Sequence, residues 1–213
     1  MKELSLAPGV SGSEEKIAEI ITRELKDVAD KIETDSMGNI IATKKGEKKA
    51  PTVMLAAHMD EIGLMVRYID DNGYIKFSNI GGINDQMLMN QTVTVHSSIG
   101  EPIVGVIGSK PPHVTTAEER NKVVKATDMF IDIGAKDKEE AEKMVRIGDK
   151  MTFNSLFVEY PNNLIMGKAL DNRVGCYVMM EVLKRVNTRA TVYGVGTVQE
   201  EVGLKGAKTS AFK

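Results

Sequence analysis

The sequence predicts an α/β fold interrupted by an inserted β-rich domain. Strand and helix patterns alternate near both ends of the 213-residue chain, as in a layered α/β sheet. The middle instead shows short alternating apolar runs split by turn signals, the pattern of a β sandwich or barrel. Apolar strand-like runs in the two outer parts end abruptly in His58 and in Glu200-Glu201. These observations divide the chain at 1–62, 63–157 and 158–213, with the outer two parts forming one domain.

The first helix is marked by Ser11 and Glu14 at capping-box spacing. Ile17, Ile20, Ile21, Leu25 and Val28 then line one face. "KIETDSMGNIIATKKG" reads as two extended segments around Met37-Gly38-Asn39. Val53 to Ala57 form an uninterrupted apolar run, the signature of a strand buried on both faces. In the middle part, "GLMVRYI" and "YIKFSNI" flank Asp71-Asn72-Gly73, a hairpin signal. "QTVTVHSS", "PIVGVIG" and "MFIDIGA" add three more strands, and "KDKEEAEKMVRI" adds a charged helix. The first texture returns with "NLIMGKAL", an extended approach to a helix over "NRVGCYVMMEVLKRV". Asp171 stands where its N-cap belongs, and Val174, Tyr177, Val178, Met180 and Val182 supply an apolar face. "ATVYGVGTVQ" is a strand ending at Glu200 and Glu201, and "GLKGAKTSAFK" opens a further helix.

Composition narrows the function classes. Hydrophobic residues at 42% and charged residues at 27% are ordinary for a soluble globular protein. A net charge of -2 argues against nucleic acid or an anionic membrane as partner. No apolar run approaches a membrane span, and the first residues lack the apolar core of a secretion signal. The single cysteine, Cys176, forbids an intrachain disulfide, and a reducing cytoplasm is the expected location. Cys176 lies within a helical pattern and reads as a small buried apolar residue.

Chemistry collects at the strand ends. In open α/β sheets, ligands bind beyond the carboxyl ends of strands. His58, Asp171 and Glu200-Glu201 occupy such places in three distant parts of the chain. Imidazole plus carboxylates is the donor set of zinc and similar divalent ions. Asp60, two residues after His58, shares its face in extended chain and is placed to accept the second imidazole N–H. One of the adjacent glutamates can bind metal while the other takes the proton of a water whose pKa falls from about 15.7 toward about 7. Taken singly, His58 is more often a satisfied core histidine and Asp171 more often a helix cap; the three termini together carry the signal. His96, in an alternating strand, and His113, after Pro111-Pro112 in a loop, read as structural. A glycosidase needs two carboxyl groups about 5–9.5 Å apart across the bond, which adjacent glutamates do not readily supply.

"AAHMDEIGLMV", "GVIGSKPPH", "FIDIGA", "VRIGD", "ALDNRVGC" and "VQEEVGLKGA" occur in the order seen in the M42 metallo-aminopeptidases, and the resemblance covers essentially all of the chain. It implies a mixed sheet flanked by helices, of the phosphorylase/hydrolase-like zinc peptidase type, carrying a barrel-like insert. It further implies that His58 binds one metal, Asp171 bridges two, Glu201 binds the second, Glu200 is the general base and Asp60 orients His58. The implied cofactors are two divalent ions (zinc, cobalt or manganese), and the implied substrates are peptides. The insert is expected to drive homo-oligomerisation, from dimers up to a dodecamer. Members of the family continue past the equivalent of Lys213 and there supply another aspartate and a histidine to the ions. No Asp, Glu or His follows Glu201 here. The alternative expectation is therefore a short form with a crippled site that serves as an assembly subunit.

Overall fold

The computed structural model describes residues 1–111, 113, 115, 116, 118 and 121–211, and the expectations touching Pro112, Phe212 and Lys213 lie outside them. The chain forms two compact units, residues 1–61 with 155–213 and residues 62–154. These divisions fall one residue and three residues before the boundaries expected from sequence.

In chain order the elements begin with α1 (Lys2–Leu6), α2 (Glu15–Leu25), β1 (Lys31–Thr34), β2 (Ile40–Lys44) and β3 (Thr52–His58). The second unit holds β4 (Gly63–Ile69), β5 (Ile75–Ile80), β6 (Thr92–His96), β7 (Ile103–Gly108), β8 (Phe130–Asp132), α3 (Lys138–Met144) and β9 (Lys150–Phe153). The chain then returns to the first unit with β10 (Val158–Tyr160), β11 (Leu164–Met166), α4 (Leu170–Arg185), β12 (Thr191–Thr197) and α5 (Lys205–Ser210).

The first unit is built on a mixed sheet in the order β1-β2-β12-β3. β12 runs antiparallel to β2 and parallel to β3, with Thr197 in register with His58. The parallel pairing sends the chain after His58 and the chain after Thr197 out of the same end of the sheet. Helices α2 and α4 cover one face. Ile17, Ile21 and Leu25 from α2 meet Cys176, Met179 and Leu183 from α4 over Ile40, Ala42 and Val192 of the sheet. The helices come close enough that β12 must be bare. A Cβ on Gly194 would lie 2.3 Å from Leu183 Cδ1, and one on Gly196 would lie 2.8 Å from Met59 Sδ. The glycines of "YGVGT" are thus packing residues.

Two expectations fail here for identifiable reasons. β3 is not buried on both faces: Val53 and Met54 are 44% and 45% exposed. β3 is the outermost strand of the sheet, so among the described residues nothing pairs with its far edge. Likewise, the α4 positions Val174, Tyr177, Val178 and Val182 face outward, and only Met180 of that apolar set is buried. α4 reaches the core through Cys176, Met179, Met180 and Leu183 instead. The pattern of α4 is apolar on both sides, so periodicity alone does not choose between them.

The second unit is a closed six-stranded barrel, β4-β5-β8-β7-β6-β9, with every neighbouring pair antiparallel. The hairpin turn between β4 and β5 is held by Asp70, whose Oδ1 accepts the N–H groups of Asn72 and Tyr74 at 3.0 Å each. Gly73 supplies the left-handed residue, φ 83°. Along β7 the side chains alternate as the sheet pleat requires: Ile107 is fully buried and Val104 is 63% exposed. β9 was not expected from sequence. Its four residues are too few to show alternation, and its role is to close the barrel between β4 and β6. His96 hydrogen-bonds Thr152 Oγ1 at 2.9 Å within this unit. The β7 contrast sets a test. Ile107→Ala should destabilise by about 2–5 kcal/mol through a lost side chain and a cavity, whereas Val104→Ala should stay within about 0.5 kcal/mol, both read from urea unfolding midpoints.

Candidate metal centre

His58 ends β3 with its ring 8% exposed, and its two nitrogens face different partners. Nδ1 lies 3.1 Å from the Asp60 carbonyl oxygen and 3.4 Å from Asp60 Oδ1. Nε2 lies 3.1 Å from Asp171 Oδ1 and 3.8 Å from Glu200 Oε2. With Nδ1 directed at Asp60, the ring turns Nε2 toward the carboxylates, as the atom that a cation placed among them would take once its proton is lost. The sequence pointed to the Asp60 side chain as the N–H acceptor; the backbone carbonyl of the same residue is the nearer atom.

Asp60 is fully buried and accepts bonds on both oxygens. Oδ1 takes the Glu200 N–H at 3.0 Å, and Oδ2 takes the Glu201 N–H at 3.1 Å and the Ser11 hydroxyl at 2.6 Å. Burial pushes this carboxyl up, but the bonds to His58, Ser11 and the two N–H groups outweigh it and hold its pKa below the usual carboxylate range. The same contacts act on His58. Burial disfavours the imidazolium, yet Asp60, Glu200 and Asp171 together raise the ring's pKa from 6.5 to about 9. Glu201 is raised, first by burial and then by its carboxylate neighbours, against the pull of His58.

Glu200 and Glu201 sit on a turn immediately after β12. Gln199 adopts a left-handed φ of 56°, and the Glu200 carbonyl accepts the N–H groups of Gly203 and Leu204 at 2.9 and 3.0 Å. The turn is anchored from below by Asn39, which is fully buried. Its Oδ1 accepts the Val198 N–H at 3.0 Å, and its Nδ2 donates to Asp35 Oδ2 at 2.8 Å and to the Gly206 carbonyl at 3.0 Å.

Two local expectations are corrected. Ser11 and Glu14 do not form a capping box. α2 starts at Glu15 without a side-chain cap. Ser11 bonds Asp60, while Glu14 Oε1 accepts the N–H groups of Gly12 at 2.8 Å and Gln199 at 3.0 Å. Burial raises the Glu14 pKa against the opposing pull of these two bonds. The spacing is right for a cap, but the stronger demand for acceptors comes from the turn carrying Glu200. Nor is Asp171 the cap of α4. Asp171 and Asn172 have non-helical backbone angles, and Asn172 Oδ1 caps the regular helix by accepting the Gly175 N–H at 3.0 Å. The Asp171 carboxylate is thereby left pointing at His58. Cys176 is the buried residue expected from sequence, with Sγ 3.2 Å from the His58 carbonyl oxygen and its pKa pushed up to about 12 by burial.

The donor set suits a divalent cation. One ligand atom each from His58, Glu200 and Glu201 lies within 4.8 Å of the others. Zinc takes nitrogen and carboxylate ligands at about 2.0–2.2 Å, so two donors on one ion stand at most about 4.4 Å apart. Small side-chain rotations meet that limit. Sequence reasoning missed Ser11, Glu14, Asn39, Lys168 and Arg173 around this centre. Apart from Glu14, whose carboxylate is taken up by backbone N–H groups, none carries metal-ligand chemistry, and their burial beside the site is what reveals them.

The family model of M42 glutamyl aminopeptidase matches residues 38–213. A curated relative, the putative aminopeptidase FrvX of Escherichia coli, is 42% identical over 99% of this chain and 59% of its own length. Among solved structures, the TET aminopeptidase of the marine sediment archaeon Thaumarchaeota archaeon SCGC AB-539-E09 superposes with a TM-score of 0.95 at 42% identity, covering all of this chain and 61% of that one. The TET1 peptidase of Pyrococcus horikoshii gives a TM-score of 0.88 at 39% identity over 99% of this chain and 63% of that one. The chain thus spans about 60% of the length of the relatives it matches. With a family match across most of its residues, and with His58 and the paired glutamates at one end of the mixed sheet facing Asp171 at the start of α4, the chain belongs to the M42 glutamyl aminopeptidase family.

Proposed function

We propose that this chain is the metal-site portion of a metal-dependent aminopeptidase that removes N-terminal residues from peptides. The observation that carries the reading is the convergence of His58, Asp171, Glu200 and Glu201, from three distant parts of the sequence, around one point. In this reading His58 and Glu201 each hold one divalent ion, and Asp171 bridges the two. Zinc, cobalt and manganese all suit such ligands. When bound, the ions lower the pKa of a water and polarise the scissile carbonyl.

The chain's own residues do the rest. Glu200, partly exposed beside His58, accepts the proton of the attacking water and passes it to the leaving amine. Asp60 holds His58 in one tautomer through Nδ1 and fixes the Glu200-Glu201 turn through its two oxygens. One buried carboxylate therefore sets the relative positions of ligand and base.

Self-association is part of the proposal. The Pyrococcus horikoshii TET1 peptidase can assemble into a tetrahedron or a large octahedral shell, and the β-barrel unit is the expected contact region in a homo-oligomer built from dimers. Cytoplasmic residence accords with a lone, buried cysteine. No described helix is long and apolar enough to cross a membrane.

Glu200→Gln should lower kcat about 10²–10⁴-fold while leaving cation content unchanged, read by peptide hydrolysis alongside elemental analysis. Near-normal turnover removes Glu200 as the base. A chain that assembles and binds cations yet hydrolyses no peptide favours the assembly-subunit alternative. Asp60→Asn should weaken cation binding about 10–100-fold. In the chelator-treated protein it should also move the His58 titration down from about 9 toward 6.5, followed by NMR of the ring protons. An unmoved titration refutes the role given to Asp60.

A further inference from the structure

We propose that Glu61, Lys168 and Arg173 form an ion-pair clamp that positions Asp171 against His58, so that the bridging carboxylate assigned above is held in place by charges that touch no ligand. The clamp rests on the metal-site reading and adds three positioning residues to it.

The geometry places the clamp at both ends of the segment that carries Asp171. Lys168 Nζ lies 2.6 and 2.8 Å from the two oxygens of Glu61, and Arg173 Nη2 lies 3.4 Å from Glu61 Oε1. Glu61 follows Asp60 directly, so its carboxylate ties the His58-Asp60 stretch to residues three before and two after Asp171. The remaining donors bind the chain around α1. Arg173 Nη1 donates to the carbonyls of Leu4 at 2.6 Å and Ala7 at 3.1 Å, and Lys168 Nζ donates to Ala7 at 3.3 Å. Ser5 Oγ donates to the Lys168 carbonyl at 2.6 Å, and the Glu61 N–H to the Gly9 carbonyl at 2.9 Å.

Among the described residues, the Asp171 carboxylate has no hydrogen-bond partner besides His58. Its side chain is 89% exposed and meets His58 Nε2 at 3.1 Å. An exposed carboxylate placed this close to a buried ring takes its position from its backbone. That backbone lies between Lys168, 11% exposed, and Arg173, fully enclosed, both on one carboxylate that is 5% exposed. Arg173 is held against Gly9, where an added Cβ would fall 2.7 Å from Nη2.

Stability does not account for the arrangement. Buried ion pairs contribute little net stability, because desolvation offsets the attraction, and Arg173 Nε has no partner among the described residues. Electrostatics at the site does not account for it either. Two buried cations behind a cation site oppose binding, and Glu61 cancels only one of them. A cluster that neither ground explains, while bracketing a carboxylate that meets only His58 among the described residues, is a positioning device.

The two explanations predict opposite signs for Lys168→Met, measured in the full chain by cobalt(II) titration with calorimetry and visible absorption. Removing a positive charge tightens cobalt binding if charge alone matters. If the clamp positions Asp171, the variant loses the same binding event as Asp171→Asn, about 10–100-fold, and Lys168→Arg restores it. Glu61→Asp keeps every charge, shortens the carboxylate and should weaken that event in the same direction, which serves if Lys168→Met does not fold. Cobalt binding by folded Lys168→Met that equals or exceeds the parent overturns the clamp. A metal-free readout separates this from failure of the functional reading. The ¹⁵N signals of the His58 ring should change alike in Lys168→Met and Asp171→Asn. If the parent chain takes up no cobalt, the aminopeptidase reading falls, and the ring signals alone decide: a matching change upholds the clamp and an unchanged His58 ring removes it.

Discussion

The candidate centre depends on the buried carboxylate of Asp60. Its two oxygens collect the Glu200 and Glu201 N–H groups and the Ser11 hydroxyl, while its residue also faces His58 Nδ1. A carboxylate in apolar surroundings is expensive unless its lone pairs are filled, and here they are filled by the very groups whose placement the chemistry requires. The parallel pairing of β3 with β12 makes this possible, since it brings residue 60 and residues 200–201 to one end of the sheet. Fold and site meet in that register: a shift of one residue would turn His58 to the opposite face.

Around this point the protein concentrates charge where a stability-minded sequence would not. Asp60, Glu14, Glu61, Lys168, Arg173 and His58 lie within one small region, most of them hidden from solvent. Each is partnered through backbone groups or an opposite charge, and the partners come from segments far apart in the chain. Such a network has few alternative arrangements, because any displaced member strands another without a partner. The order of the candidate centre rests on that mutual dependence more than on the strength of any single bond.

Much of this was legible in the sequence. The outer α/β halves, the β-rich middle and the candidate ligands at strand ends all follow from periodicity and from the abrupt polar ends of "TVMLAAHMDE" and "VYGVGTVQEE". What escaped was tertiary. Ser11 and Glu14 carry the spacing of a cap, and nothing local reveals that residues 60 and 199 compete for them. Asp171 and Asn172 are both good caps, and only the fold decides which one turns toward His58. The exposure of Val53 and Met54 depends on where β3 sits in the sheet, which the composition of the strand does not encode. β9 is visible only as the piece that closes a ring.

That ring has a further meaning for association. In a closed ring each of the six strands has a neighbour on both sides, so none of them is an edge strand bare along one whole side. A neighbour that grips this unit then meets chiefly its side chains and loops. Recognition of that kind is tuned one residue at a time, and it leaves the barrel's own architecture untouched as partners change.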